Sequence, residues 1–157
     1  GLRSPNKSFK IKGEPDFISV ESAGKTTLLQ KGEGLWTCGA EELDKGKVES
    51  LIKSLNPLAT LGVTSRSASQ AALERYGLDK PIKVTLKARD KTLVEVSIGK
   101  NSSSGSQSYI QIDGKKEIYL ARGNLRSSWD LKIDSLKPAQ KPQDEEQSVQ
   151  EGDSNEA

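Results

Sequence analysis

The stretch "ERYGLDKPIKVTL", residues 74–86, changes within a few positions from a polar helical pattern to an alternating one. If Gly77 is the first residue past the helix, Leu73 and Leu78 occupy the positions whose side chains touch in a Schellman cap. Glycine adopts the left-handed conformation of this cap without a Cβ clash. Pro81 then prevents the helix from continuing. We therefore interpret the stretch as the end of a helix and the start of a strand, rather than as a binding site.

Two helices are predicted, and this is the second. Ser67 and Gln70, three residues apart, fit a capping box at its start. The first helix begins after Asp44, a suitable N-cap, and ends at Asn56-Pro57 because proline cannot continue a helix. Its apolar residues recur at helical spacing and form one stripe: Val48, Leu51, Ile52 and Leu55.

Short alternating segments on both sides of the helices predict strands. Before the first helix, "DFISVES", "TTLLQK" and "LWTCG" form a three-stranded meander with turns at Ala23-Gly24 and at 32–34. Phe17 faces one side of its strand and Ile18 the other. "LATLGVTS", between the helices, is predicted to be extended.

After the second helix, residues 82–88 alternate, the chain turns at Asp90-Lys91, and "LVEVSIG" returns. "KNSSSGSQS" is predicted to be a flexible loop. "YIQI" and "IYLA" flank Asp113-Gly114, which favours a hairpin with a type I′ turn. "LRSSWDL" predicts a further helical turn.

This order of elements predicts an α+β fold with a mainly antiparallel sheet, in two strand groups, and two helices packed on it. We divide the chain into an N-terminal linker (1–15), a single domain (16–136) and a disordered acidic tail (137–157). The tail contains six acidic and two basic residues, so its net charge is −4 and that of the rest is +6. Its proline, glutamine and acidic composition is typical of disorder.

The residues that catalysis or metal binding would require are scarce. Histidine is absent, which removes the commonest general base and metal ligand. The single cysteine, Cys38, excludes an internal disulfide and a multi-cysteine metal site. Glu41, Glu42 and Asp44 form the densest acidic cluster of the domain, but they precede a helix, where the macrodipole favours negative charge. We therefore predict no catalytic, cofactor-binding or metal-binding residues, with a carboxylate-based enzyme as an alternative.

Basic and apolar residues are interleaved near the start of the chain: Lys7, Phe9, Lys10, Ile11 and Lys12. Such a pattern can bind single-stranded nucleic acid or an acidic lipid surface. We interpret this segment as a spacer that would lie next to a membrane anchor, and we predict no nucleic-acid partner. A nucleic-acid-binding module is the second alternative. The chain has no methionine, so a segment is expected to precede Gly1, and either a signal or an anchor would fit there. No apolar run of the chain itself is long enough to span a membrane.

An ordered set of motifs over about residues 16–130 resembles the bacterial family of domain of unknown function 4340 (DUF4340). The set consists of "FISV", "TTLLQK" and Trp36, the helix with Asp44, Val48, Leu51 and Leu55, the run Tyr76-Gly77-Leu78-Asp79 with Pro81, the pair Ile98-Gly99, and a closing hairpin with Tyr109 and "EIYL". The resemblance implies an extracytoplasmic, periplasmic-side protein that is anchored to the membrane. It assigns no catalytic residue.

These observations together predict a non-enzymatic protein-binding or scaffold module of the bacterial cell envelope, whose partner is another envelope protein. The sequence leaves the oligomeric state open. We expect the partner to bind a face or an edge of the sheet, since unpaired backbone groups at an edge can accept another strand. The strand next to the "NSSSGS" loop is the first candidate, and proline at Gln111 would block strand addition there.

Overall fold

The computed structural model describes residues 7–139, which form ten strands and four short helices. The strands are β1 (Lys7–Phe9), β2 (Phe17–Ser22), β3 (Lys25–Gly32), β4 (Leu35–Cys38), β5 (Glu41–Leu43), β6 (Leu58–Ser65), β7 (Ile82–Ala88), β8 (Lys91–Asn101), β9 (Gln107–Ile112) and β10 (Ile118–Arg122). The helices are α1 (Lys45–Lys53), α2 (Gln70–Arg75), α3 (Leu125–Trp129) and α4 (Ile133–Leu136).

All ten strands join one antiparallel sheet in the order β1-β6-β10-β9-β8-β7-β2-β3-β4-β5. The predicted α+β class with a mainly antiparallel sheet is therefore confirmed, but the prediction of two separate strand groups is wrong. Strands β2 and β7 connect the two halves, with Ile18 opposite Leu86 and Val20 opposite Val84. These four side chains are buried, so the pairing makes one continuous apolar face.

The core lies on one face of this sheet, which we call the inner face. Helix α1 buries Val48 and Leu51 there, capped by Asp44 as predicted. Helix α3 contributes Leu125 and Trp129, and α4 contributes Leu136. The Trp129 Nε1 donates to Ser54 Oγ over 3.0 Å, which joins α3 to the end of α1.

Helix α2 differs from the prediction in its packing and its start. It buries no residue, so the expectation of two helices packed on the sheet is wrong. Its sequence, "QAALER", has no apolar stripe that could cover a core. The N-cap is Ser69, whose Oγ accepts from Ala72 N over 3.1 Å, and not Ser67. Ser65 Oγ instead donates to Ser67 O over 2.7 Å.

The end of α2 has the predicted cap. Gly77 has φ +75°, Leu78 N donates to Leu73 O over 2.7 Å, and Gly77 N donates to Glu74 O over 3.3 Å. These are the two hydrogen bonds of a Schellman motif. The interpretation of this stretch as a helix end is therefore confirmed.

This cap is packed backbone to backbone on strand β8. Lys100 N donates to Tyr76 O over 3.0 Å. A Cβ on Gly77 would lie 2.7 Å from Lys100 N, and a Cβ on Gly99 would collide with Tyr76 O. Two glycines, one on each partner, are thus required for the approach. Arg126 of α3 fastens the same region, donating to Ile98 O and to Lys80 O over 3.0 Å each.

The segment predicted as a linker is partly within the sheet. Strand β1 pairs with Leu58–Thr60 of β6. The Phe9 ring packs edge-on against Tyr119 at 5.6 Å, and Ile11 N donates to Asn56 Oδ1 over 3.2 Å. Because Phe9 and Ile11 pack against the core, residues 7–11 are part of the domain rather than a spacer. Residues 1–6, and 140–157 of the predicted tail, lie outside the described residues.

The turns confirm the hairpins with two corrections. The turn between β7 and β8 is at Arg89-Asp90 and not at the predicted Asp90-Lys91, which belongs in part to β8. Three two-residue turns have positive φ at both positions, as type I′ turns do: Ala23-Gly24, Glu33-Gly34 and Arg89-Asp90. At the Asp113-Gly114 turn only Gly114 has positive φ, and Lys115 N donates to Ile112 O over 2.9 Å. The β9–β10 hairpin is therefore present, but this turn is not type I′.

Alanine substitutions at Gly24, Gly77 and Gly99 separate the energetic cost of backbone strain from that of steric collision. We expect Gly24→Ala to lower the free energy of unfolding by about 1 kcal/mol, because φ is +78° but no atom lies within 4 Å of the added Cβ. Gly77→Ala adds a collision to a similar φ and should cost about 2–4 kcal/mol. Gly99→Ala should cost a comparable amount through collision alone. Urea unfolding measures all three, and an equal loss for Gly77→Ala and Gly24→Ala would contradict backbone-to-backbone packing.

Candidate functional site

The meander β2–β3–β4 presents alternate residues on opposite faces of the sheet. Ile18, Leu29 and Trp36 are buried on the inner face. The side chains between them therefore point to the opposite face, which we call the outer face. The pairing register places Phe17, Gln30 and Thr37 side by side on this outer face.

Two large apolar side chains are exposed on the outer face. Leu28 is 42% exposed and Leu35 is 48% exposed, and within residues 7–139 they are the exposed large hydrophobics. Leu28 lies opposite Ser19, and Leu35 lies opposite Gly32. We define the outer patch as these two leucines with three neighbouring residues of the same face: Phe17, Leu28, Gln30, Leu35 and Thr37.

The alternation of the strands contains a signal for this patch in the sequence. In "TTLLQK" two leucines are adjacent, and a strand can turn only one of them toward the core. Trp36 faces inward, so its neighbour Leu35 must face outward. The position of both leucines could thus be deduced from alternation, but their exposure depends on what covers the outer face.

A polar depression adjoins the patch. It has a volume of about 270 Å³ and is lined by Asp16, Phe17, Gln30, Lys31, Lys87, Arg89 and Asp90. Lys87 Nζ lies 5.6 Å from the centre of the Phe17 ring, within the range of a cation–π contact. The Asp16 carboxylate accepts from Arg89 N over 3.2 Å and so holds the turn between β7 and β8.

The family-like run at residues 76–81 forms no open site. The Tyr76 ring contacts the Tyr109 ring at 4.7 Å, and Arg75 lies 5.7 Å from the centre of the Tyr76 ring. Leu78 is buried. The aromatic surface of the run is thus occupied by contacts within the protein, which agrees with its interpretation as a helix end.

The acidic residues before α1 take part in separate structural contacts. Asp44 Oδ1 accepts from Lys47 N over 2.9 Å as the helix cap. Glu41 lies 3.1 Å from Lys137 Nζ, which also contacts Asp134. Two hydrogen bonds, to Asp134 first in size and to Glu41 second, raise the pKa of Lys137. The carboxylates are therefore not gathered around a common point.

Cys38 is a half-buried free thiol in β4, opposite Glu41. Its place in a strand follows the predicted pattern. In the part of the chain that the structure describes, no group of three or more histidine, cysteine or acidic residues could hold a metal ion. Within the same residues, no helix is long and apolar enough to cross a membrane.

The strand next to the serine-rich loop is not an edge. Strand β9 lies between β8 and β10, so Gln111 is paired with Ser97 on one side and Ile118 on the other. The first-choice edge for strand addition is therefore wrong. The sequence could not reveal this, because β10 closes against β6, a strand more than fifty residues earlier. Within residues 7–139 the outermost strands of the sheet are β1 and β5.

A charged pair marks the outer face of the central strands. Lys83 Nζ lies 2.6 Å from Glu95 Oε2. The hydrogen bond to Glu95 and its negative charge raise the pKa of Lys83. This pair makes the centre of the outer face hydrophilic, so its exposed apolar character is concentrated at the β2–β4 end.

Comparison with family models gives a match to the domain of unknown function DUF4340 over residues 19–140. That range contains most of the chain and runs from β2 beyond α4. The chain belongs to the DUF4340 family. The resemblance of its motifs to this family is thereby confirmed. No curated protein and no solved structure is significantly similar to the chain.

Family membership places both glycines of the cap, Gly77 and Gly99, inside the family domain. It also places Leu28 and Leu35 there. Strand β1 lies before the matched range. As a domain of unknown function, the family assigns no chemical role to any of these residues.

Gln111→Pro now tests an interior strand rather than an edge. Proline removes a backbone donor from a strand that is paired on both sides, and it should lower the free energy of unfolding by about 3 kcal/mol or more. Gln111→Thr, which keeps the donor and suits a strand, should change it by less than about 1 kcal/mol. Circular dichroism during urea unfolding measures both. A Gln111→Pro variant as stable as wild type would contradict the position of β9 in the sheet.

Proposed function

We propose that this chain is a non-enzymatic protein-binding or scaffold module that binds its partner through the outer patch. The observation that carries the proposal is the pair of exposed leucines at the β2–β4 end of the outer face. The three helices with buried side chains, α1, α3 and α4, contribute to the core on the inner face. Leu28 and Leu35 on the outer face have no such cover among the described residues.

Exposed leucines on a β-sheet carry a cost that a partner could remove. Covering apolar surface is favourable in proportion to its area, at roughly 25 cal/mol per Å². Single exposed apolar residues are common, but here two lie on one continuous face in the neighbouring strands β3 and β4, with Phe17 on the same face of β2. Gln30 and Thr37 supply hydrogen-bonding groups among them, a mixture typical of protein interfaces.

The partner that we propose is another protein of the bacterial cell envelope, with the chain held on the outer side of the membrane by an anchor. This part of the proposal rests on the resemblance to the family. The nucleic-acid alternative receives little support from the surface, since the cations beside the patch, Lys87 and Arg89, are accompanied by Asp16 and Asp90. A partner with an apolar, uncharged centre fits the patch better.

Crosslinking from within the patch tests the proposal. A photoreactive phenylalanine at Gln30 or Thr37, introduced into the natural host, should trap one envelope protein that mass spectrometry identifies. Leu28→Asp or Leu35→Asp should abolish the crosslink and weaken binding of the identified partner at least about tenfold, because each buries a charge in the interface. Both leucines are exposed, so unfolding free energies should stay within about 0.5 kcal/mol of wild type.

The exposed Lys116 in the β9–β10 turn supplies the control. The photoreactive residue placed there should not trap the same protein, and Lys116→Asp should leave binding unchanged. Equal crosslinking from position 116 and from the patch, or full binding by both leucine variants, would overturn the proposed surface.

A further inference from the structure

A second concave site lies on the other side of the same strands. It has a volume of about 250 Å³ and lies between β3, β4, helix α1 and the segment 13–15. We call it the Trp36 cavity, and its lining comprises Gly13, Glu14, Pro15, Lys31, Trp36, Glu49, Ile52, Lys53 and Asn56. Trp36, Ile52 and Pro15 supply the apolar part of this lining.

The charged residues of this cavity are balanced and unpaired. Two are cationic, Lys31 and Lys53, and two are anionic, Glu14 and Glu49. The ion pairs within residues 7–139 involve none of the four. A cavity with unpaired charges of both signs is suited to a ligand that itself carries both signs.

The lining also contains two neutral side chains with hydrogen-bond donors, Trp36 and Asn56. Trp36 is 1% exposed, and its Nε1 is the buried side-chain nitrogen or oxygen that has no hydrogen-bond partner within residues 7–139. A buried donor without an acceptor costs about 1–3 kcal/mol. Asn56 uses its Oδ1 to accept from Ile11 N, which leaves its amide hydrogens for another group. The Asn56 amide is therefore the neutral donor that the lining offers to a ligand, whereas the Trp36 Nε1 is enclosed by the protein.

We propose that the Trp36 cavity binds a small zwitterion of the amino-acid class with an apolar side chain. Its carboxylate lies near Lys31, Lys53 and the Asn56 amide, and its ammonium near Glu14 and Glu49. The apolar side chain packs on Trp36 and Ile52. This inference is independent of the proposed function, because the cavity lies on the inner side and includes no residue of the outer patch.

Other ligand classes match the lining less well. A phosphate or other simple anion would meet Glu14 and Glu49 as well as the lysines. A purely apolar ligand would leave four charges and the Asn56 amide without partners. A volume of about 250 Å³ accommodates a molecule of amino-acid size but is below the 300–1,000 Å³ of pockets for larger ligands.

The two tryptophans provide an internal control for the test. The ¹⁵N-labelled chain has two indole N–H signals, and Trp36→Phe assigns them. Addition of L-leucine, L-valine or L-phenylalanine should shift the Trp36 signal saturably. The Trp129 signal should stay unchanged, because its Nε1 already donates to Ser54 Oγ and it does not line the cavity.

Charge variants of ligand and protein test the zwitterion. Leucinamide, with the ammonium alone, and N-acetyl-leucine, with the carboxylate alone, should each bind at least about tenfold more weakly than leucine. Glu49→Gln and Lys53→Gln should weaken leucine binding by a similar factor. Lys45→Gln, an exposed residue of the same helix outside the cavity, should leave it unchanged.

Three outcomes would overturn the proposal. The first is no saturable shift of the Trp36 signal with any of the three amino acids in the folded wild-type chain. The second is equal binding of leucine and uncharged N-acetyl-leucinamide. The third is tighter binding of N-acetyl-leucine or leucinamide than of leucine, which would indicate the end of a peptide chain rather than a free amino acid.

Discussion

The contact on which the two halves of this structure depend is the close approach of the α2 cap to strand β8. The backbone of Tyr76–Leu78 lies against Gly99 and Lys100, with a hydrogen bond from Lys100 N to Tyr76 O. No side chain could occupy the space between them. The cap thereby holds the entry to β7, and β7 is the strand that pairs with β2 and joins the N-terminal meander to the rest of the sheet.

Local sequence was sufficient to predict elements whose physics is local. The Schellman cap follows from the spacing of Leu73, Gly77 and Leu78, because its hydrogen bonds and its hydrophobic contact all lie within six residues. The Asp44 cap and the apolar stripe of α1 are similarly local. At the start of α2, by contrast, Ser67 and Ser69 were both suitable caps, and the choice between them depends on where strand β6 ends.

Long-range pairing could not be predicted in this way. Whether β9 is an edge depends on β10 turning back to meet β6, and whether residues 7–11 are a spacer depends on Phe9 meeting Tyr119. Neither contact can be recognised from the sequence next to the residues that make it. The candidate surfaces were missed for the same reason, since alternation shows which way Leu35 points but not whether another element covers it.

The two proposed surfaces are connected by the alternation of the same two strands. In β3, Leu28 and Gln30 face outward while Lys31 faces the Trp36 cavity, and in β4 Leu35 faces outward while Trp36 faces inward. Because a strand alternates with period two, a slip of one residue would exchange the two sets of side chains. The register is fixed by the Glu33-Gly34 turn, whose two positive φ angles permit only a tight hairpin. A single turn thus determines both which leucines meet solvent and which lysine meets the cavity.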